Sequence, residues 1–192
     1  MRAITFDIEA ISPNMVRGRL DVNEMELTVV GIHDSSTGEY SSFLKDELPK
    51  LWPIIEQSDM LIGFNSDTFD IPLLNRYYPG DLTKMRSLDL LSEVYKTLGR
   101  RIRLQSLAEA TLGRGKSGDG LKATVWWQEG KYDLVREYCI EDVRLTRELY
   151  DYALTKGHLK YKDLNQKKDI KLDTSRWEAE AEGHALTHTL GI

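Results

Sequence analysis

Asp7 and Glu9 stand two apart in Thr5-Phe6-Asp7-Ile8-Glu9. In an extended strand, alternate residues point the same way, roughly 6.6 Å apart along the backbone, so both carboxylates share one face while Ile4, Phe6 and Ile8 fill the other. Like charges at about 4 Å repel by roughly 4 kcal/mol at an effective dielectric near 20, unless a cation lies between them. An exposed strand end is the alternative reading of the pair. A third acid, Asp70, follows Gly63-Phe64-Asn65, where an apolar strand gives way to a helix. That puts Asp70 in a first helical turn near the positive end of the dipole, and at the kind of strand end where open α/β sheets take their ligands. An ordinary first-turn acid, with Asp67 as the N-cap, explains the same residues. Tyr138 and Asp142 lie one turn apart on a long periodic segment, about 6 Å along the axis, so a phenol and a carboxylate address one point, though such pairs also arise by chance. Asp7, Glu9, Asp70 and Asp142 offer only oxygen ligands, which suit Mg²⁺ or Mn²⁺. Four carboxylates suffice for two ions about 3.5–4 Å apart, the spacing that clamps the attacking and leaving oxygens of a phosphodiester.

These residues need elements to hold them. Strands are expected at Arg2 to Ile8, Glu26 to His33, Glu39 to Leu44 and Asp59 to Phe64, from β-rich composition and turn signals. Met85 to Leu91 reads as a fifth strand or the entry to a helix. Helical periodicity marks Lys45 to Ser58, Thr68 to Tyr77, Leu104 to Leu112 and Lys131 to Lys156, with Gly113 and Gly157 as C-caps. Gly113 to Gly120 is glycine-rich and expected to be a mobile loop. Lys160 to Trp177 reads as a C-terminal hairpin around Asn165-Gln166-Lys167, outside the main core, and Glu178 to Ile192 as a patternless tail. Strands first, then strands alternating with helices, give a three-layer α/β domain built on a mixed sheet flanked by helices. The expected division is a main domain over 1–157 and a hairpin with tail over 158–192.

With 192 residues, 41% hydrophobic and 30% charged, the chain suits one soluble core and excludes two large domains, a disordered chain and a membrane span. No apolar signal core or Arg-rich leader follows Met1, and the single cysteine, Cys139, permits no internal disulfide; both favour a cytoplasmic location. The net charge of −5 argues against bulk electrostatic binding of nucleic acid. The charge is uneven, however: Lys96 to Lys122 holds seven basic residues and two acidic ones. Within it Arg114, Lys116 and Lys122 read as contacts to a phosphate backbone on a flexible basic loop, or as a solvated loop. Gly115-Lys116-Ser117 is not a phosphate-binding P-loop, because Ala110 stands where the first glycine is required. Trp126 and Trp127 suit a core-and-rim pair better than a base stack.

Phe6-Asp7-Ile8-Glu9, Gly63-Phe64-Asn65 through Phe69-Asp70-Ile71-Pro72, and Tyr138 four before Asp142 resemble the three motifs of the DEDD 3′–5′ exonucleases. That superfamily has a ribonuclease H-like fold. The tyrosine marks the DEDDy branch, similar to the proofreading domain of family B DNA polymerases and to stand-alone exonucleases; the histidine branch is disfavoured because Glu137 occupies its position. The resemblance covers about residues 1 to 155. It implies that Asp7, Glu9 and Asp142 bind one metal and Asp7 the second, with Asp70 acting directly or through water. It further implies that Tyr138 orients the attacking water and that Asn65 and Phe69 stand beside the substrate, although the last two serve equally well as a turn and a core aromatic. The implied reaction is release of nucleoside 5′-monophosphates from a free 3′ end of DNA or RNA, with a single strand as the expected partner and any polymerase or repair partner acting in trans. A non-catalytic nucleic-acid-binding adaptor and an endonuclease of the same fold are the competing readings.

Overall fold

The computed structural model describes residues 1–12, 24–115, 120–164 and 166–179, with 120 and 121 described by backbone alone. In chain order the elements are β1 (Ala3–Ile11), β2 (Glu26–Asp34), β3 (Glu39–Leu44), α1 (Leu48–Glu56), β4 (Met60–Gly63), α2 (Asp70–Asn75), β5 (Ser87–Asp89), α3 (Leu90–Leu98), α4 (Leu104–Thr111), α5 (Gly120–Gln128), α6 (Tyr132–Lys156), β6 (His158–Asp163) and β7 (Gln166–Lys171). Five strands form one mixed sheet in the order β3-β2-β1-β4-β5. β2 pairs antiparallel with β1 and β3, while β1, β4 and β5 run parallel.

β1 and β4 are central, and their apolar side chains on both faces find partners. On one side Ile4, Phe6 and Ile8 pack with Leu51 and Ile55 of α1 and Ile71 and Leu74 of α2. On the other, Ala3, Met60 and Ile62 pack with Leu145 and Leu149 of α6 and Leu107 of α4. The result is the expected three-layer arrangement, a mixed sheet flanked by helices. Among the described residues no helix is long and apolar enough to cross a membrane.

Several elements differ from expectation. Met85 to Leu91 is both alternatives in succession: a three-residue strand, then α3, whose N-cap Asp89 accepts from the Leu91 and Ser92 amides and whose C-cap Gly99 takes φ 71°. An unexpected helix, α5, begins at Gly120 and carries Lys122, so that residue is not on a loop; the expected α4 separates it from Arg100, Arg101 and Arg103, and residues 116–119 lie outside the described residues. α5 escaped notice because its apolar residues do not keep to one stripe. The C-terminal hairpin exists, with its turn near Leu164, but it does not lie outside the core. Leu159 and Ile170 face each other across it and join the Leu145 cluster, as does Trp177, stacked on Tyr150. Alternation of polar and apolar residues signalled the strands correctly; it does not say that the apolar face has a neighbour to cover it. Residues 13–23, which follow the first strand, and the tail from 180 fall outside the described residues.

Candidate active site

β1 presents Asp7 and Glu9 half-buried, with Ile8 between them turned into the core. Immediately after Glu9 the pairing with β2 slips: Glu9 faces Val29 while Ala10 faces Leu27, so Thr28 is the extra residue of a β-bulge. The Thr28 hydroxyl donates to the Glu9 carbonyl at 2.8 Å, which pins the strand where a bulge re-aims side chains.

α6 crosses the same face. Gly31, paired with Asp7, has no Cβ; one built there would stand 2.9 Å from Cys139 Sγ and 3.1 Å from Val143 Cγ2. The missing methyl lets the helix approach closely enough for Cys139 Sγ to donate to the Asp7 carbonyl at 3.3 Å. Burial and the nearby Asp7, Glu9 and Asp142 charges hold this thiol well above its usual pKa, so it remains a neutral donor. One residue set follows from that approach: carboxylate oxygens of Asp7, Glu9 and Asp142 all lie within 4.8 Å of one another. Tyr138, one turn before Asp142 and likewise buried, meets the edge of Trp126 from α5 at 6.0 Å between ring centres.

Asp70 is the fourth expected acid and stands just behind these three. The last β1–β4 pair is Thr5 with Ile62, and β4 ends at Gly63; three residues farther along β1, the Ile8 amide donates to Asp70 Oδ1 at 3.1 Å. Asp70 thereby takes over an amide that the departing strand leaves behind. Burial, augmented by the Asp89 and Asp142 charges, pushes its carboxyl up to about 8, although the amides of Ile8 and of Asp70 itself pull the other way.

The turn between β4 and α2 is tight. A Cβ on Gly63 would stand 2.4 Å from that of Ser66. Asn65 takes φ 68°, a left-handed conformation that asparagine tolerates better than most residues. Buried Asp89 secures it by accepting the Asn65 amide at 2.7 Å while capping α3. The Asn65 side-chain oxygen accepts from Thr68 at 2.7 Å and from Arg101. These residues line a pocket of about 290 Å³ together with Tyr95 and Lys96. Phe69 is half-buried and packs against the Ile4–Ile71 cluster.

The basic residues scatter. Arg114 pairs with Glu148 of α6, Lys122 is exposed on α5, and Lys116 lies outside the described residues. Sequence reasoning passed over Gly31, Asp89 and Cys139. A lone glycine inside the strand run Glu26 to His33 was the available signal for close backbone approach. Asp89, as a polar residue between apolar ones at a strand-to-helix junction, carried the signature of an N-cap. Cys139 had none.

The donor set fits divalent metal. Three carboxylates converge, offering oxygen donors alone, and a fourth is buried behind them where its negative charge is costly. A family model described as the RNase_H superfamily matches residues 4–154. Among solved structures, the family B DNA polymerase from the hyperthermophilic archaeon Pyrobaculum calidifontis is similar in fold, with a TM-score of 0.62 and 20% identity over 80% of this chain and 24% of the polymerase. The chain thus spans about a quarter of that polymerase's length. No curated protein sequence matches it.

Proposed function

The chain belongs to the RNase_H superfamily, and from that premise we propose that it is a metal-dependent 3′–5′ exonuclease, releasing nucleoside 5′-monophosphates from free 3′ ends of single-stranded DNA or RNA. The convergence of Asp7, Glu9 and Asp142 within 4.8 Å, with Tyr138 one turn away on α6, carries the reading. Asp7, Glu9 and Asp142 would hold one Mg²⁺ or Mn²⁺, and Asp7 with Asp70, directly or through water, the other. When bound, the ions stabilise negative charge developing on the phosphoryl group and lower the pKa of water. Tyr138 orients the attacking water through its hydroxyl. Cys139 and Thr28 fix the backbone of Asp7 and Glu9 from either side, so the carboxylates keep their spacing through turnover. Asn65, held by Asp89 and Arg101, receives the sugar-phosphate, with Phe69 beside it and Arg114, Lys116 and Lys122 as outer phosphate contacts. Water adds to phosphorus and gives up a proton to solvent; the bond to O3′ of the preceding nucleotide breaks, and that oxygen takes a proton. Such an activity would serve a polymerase or repair partner in trans.

The test is hydrolysis of 3′-labelled single-stranded DNA and RNA with Mg²⁺, Mn²⁺ or EDTA, beside Asp142→Asn. The ion's share of transition-state stabilisation is several kcal/mol, so the variant should lose roughly three orders of magnitude in rate while remaining folded. Intact substrates with every metal would refute the assignment, and internal cuts in place of mononucleotides would make the protein an endonuclease.

A further inference from the structure

The β6–β7 hairpin displays more positive charge than its own stability favours. Residues 158–171 contain five lysines against two aspartates. The register sets Lys162 directly opposite Lys167, both exposed, and like charges in that position disfavour the strand pair. Neither forms an ion pair with a described residue; the nearby Asp163 is engaged by Lys168 at 2.5 Å and approached by Arg100 at 3.9 Å.

The charges sit on a fixed platform. Leu159 and Ile170 anchor the hairpin in the core. The Thr111 hydroxyl of α4 accepts from the Lys160 amide at 2.9 Å and donates to its carbonyl at 3.2 Å, covering the strand edge, and Thr97 of α3 donates to the Lys171 carbonyl at 3.1 Å. Between this platform and the α3–α4 connection lies a groove of about 420 Å³, lined by Tyr161 and by Arg100, Arg101, Arg103 and Lys162, which outnumber one acidic lining residue, Glu109. Arg100 lies over the Tyr161 ring at 5.3 Å. Arg101 also lines the Asn65 pocket and bonds the Asn65 side chain, so one residue forms a wall of both spaces.

We propose that this groove and the outer hairpin face are a second nucleic-acid-binding surface, holding the sugar-phosphate backbone on the 5′ side of the nucleotide being removed, with Arg101 as the joint. The position on the strand rests on the exonuclease reading. An excess of rigidly presented cations beside an aromatic ring is what a polyanion with stackable bases requires, and continuity with the Asn65 pocket favours a strand over an acidic protein or an anionic membrane.

Binding of a fluorescent 20-nucleotide single strand is measured in EDTA across a salt series, for the wild type and for the double variant Lys162→Gln with Lys167→Gln. Each lost phosphate contact lowers the log–log salt slope of a single strand by about 0.7, so the double variant should be shallower by about 1.4 and bind about tenfold more weakly at moderate salt. Its thermal midpoint should equal or exceed that of the wild type, since a like-charge pair is removed, and Mn²⁺-supported hydrolysis of a dinucleotide should be unchanged. An unchanged slope and affinity overturns the proposal, as does a variant-sensitive affinity for phosphatidylserine vesicles without one for the oligonucleotide. If the wild type cleaves nothing yet the slopes differ, the exonuclease reading and the strand position fall while the binding surface stands. If it cleaves and the slopes coincide, the surface falls alone.

Discussion

Asp70 is a carboxyl that folding removes from water, and its ionisation is therefore tied to stability. Its ordinary value of 3.8 rises to about 8 in the folded chain. A proton bound more tightly in the folded state stabilises it fully below the unfolded value and progressively less as pH rises toward the folded one. In EDTA the wild type should accordingly lose stability relative to Asp70→Asn between about pH 4 and pH 8, as followed by urea denaturation. Asparagine copies the neutral form, so above pH 8 the variant should be the more stable protein. Saturating Mn²⁺ should reverse that order, because the ionised carboxylate then has a cation to face. If the difference stays flat across this pH range, Asp70 does not titrate there.

α6 supplies Tyr138 and Asp142 together, so its distance from the sheet decides whether the site exists. Gly31 sets that distance. Gly31→Val should destabilise the fold by about 1–3 kcal/mol through overpacking. It should also cut kcat by about 100-fold, the cost of roughly 1 Å of misplacement, with Mn²⁺ affinity falling alongside. Full activity in a folded Gly31→Val protein would show that α6 does not need this approach. The same contact illustrates what a sequence discloses. Asp7, Glu9, Tyr138 and Asp142 were legible because their spacing within one element fixes their relative direction; the convergence of β1 with α6 was not, because it depends on a glycine on a third element, β2. β1, β2 and β4 were legible from their apolar, β-rich runs, whereas β5 is three residues long, α5 lacked a single apolar stripe, and the core face of the hairpin at Leu159 and Ile170 depends on neighbours distant in sequence.

For the whole molecule, the net charge of −5 counts sites that cations are expected to occupy. Two divalent ions would bring the total close to neutral, and the basic groove from Arg100 to Lys162 is lined by none of the clustered acids, so the sum says little about what either part attracts. One of the buried residues that join α6 to the sheet beside the Asp7–Asp142 cluster is a thiol. Cys139 is the chain's single thiol, fully enclosed between α6 and β2, and a disulfide reagent reaches it only when the helix lifts from the sheet. Its modification rate therefore clocks the opening of the structure around the candidate site, without any added probe. If the ions bind where Asp7 and Asp142 meet, Mn²⁺ at about 100 times its dissociation constant should slow that clock by about 100-fold, and an indifferent rate would put the metal elsewhere. A thiol with no part in the chemistry thus becomes a stopwatch for the motion that would dismantle it.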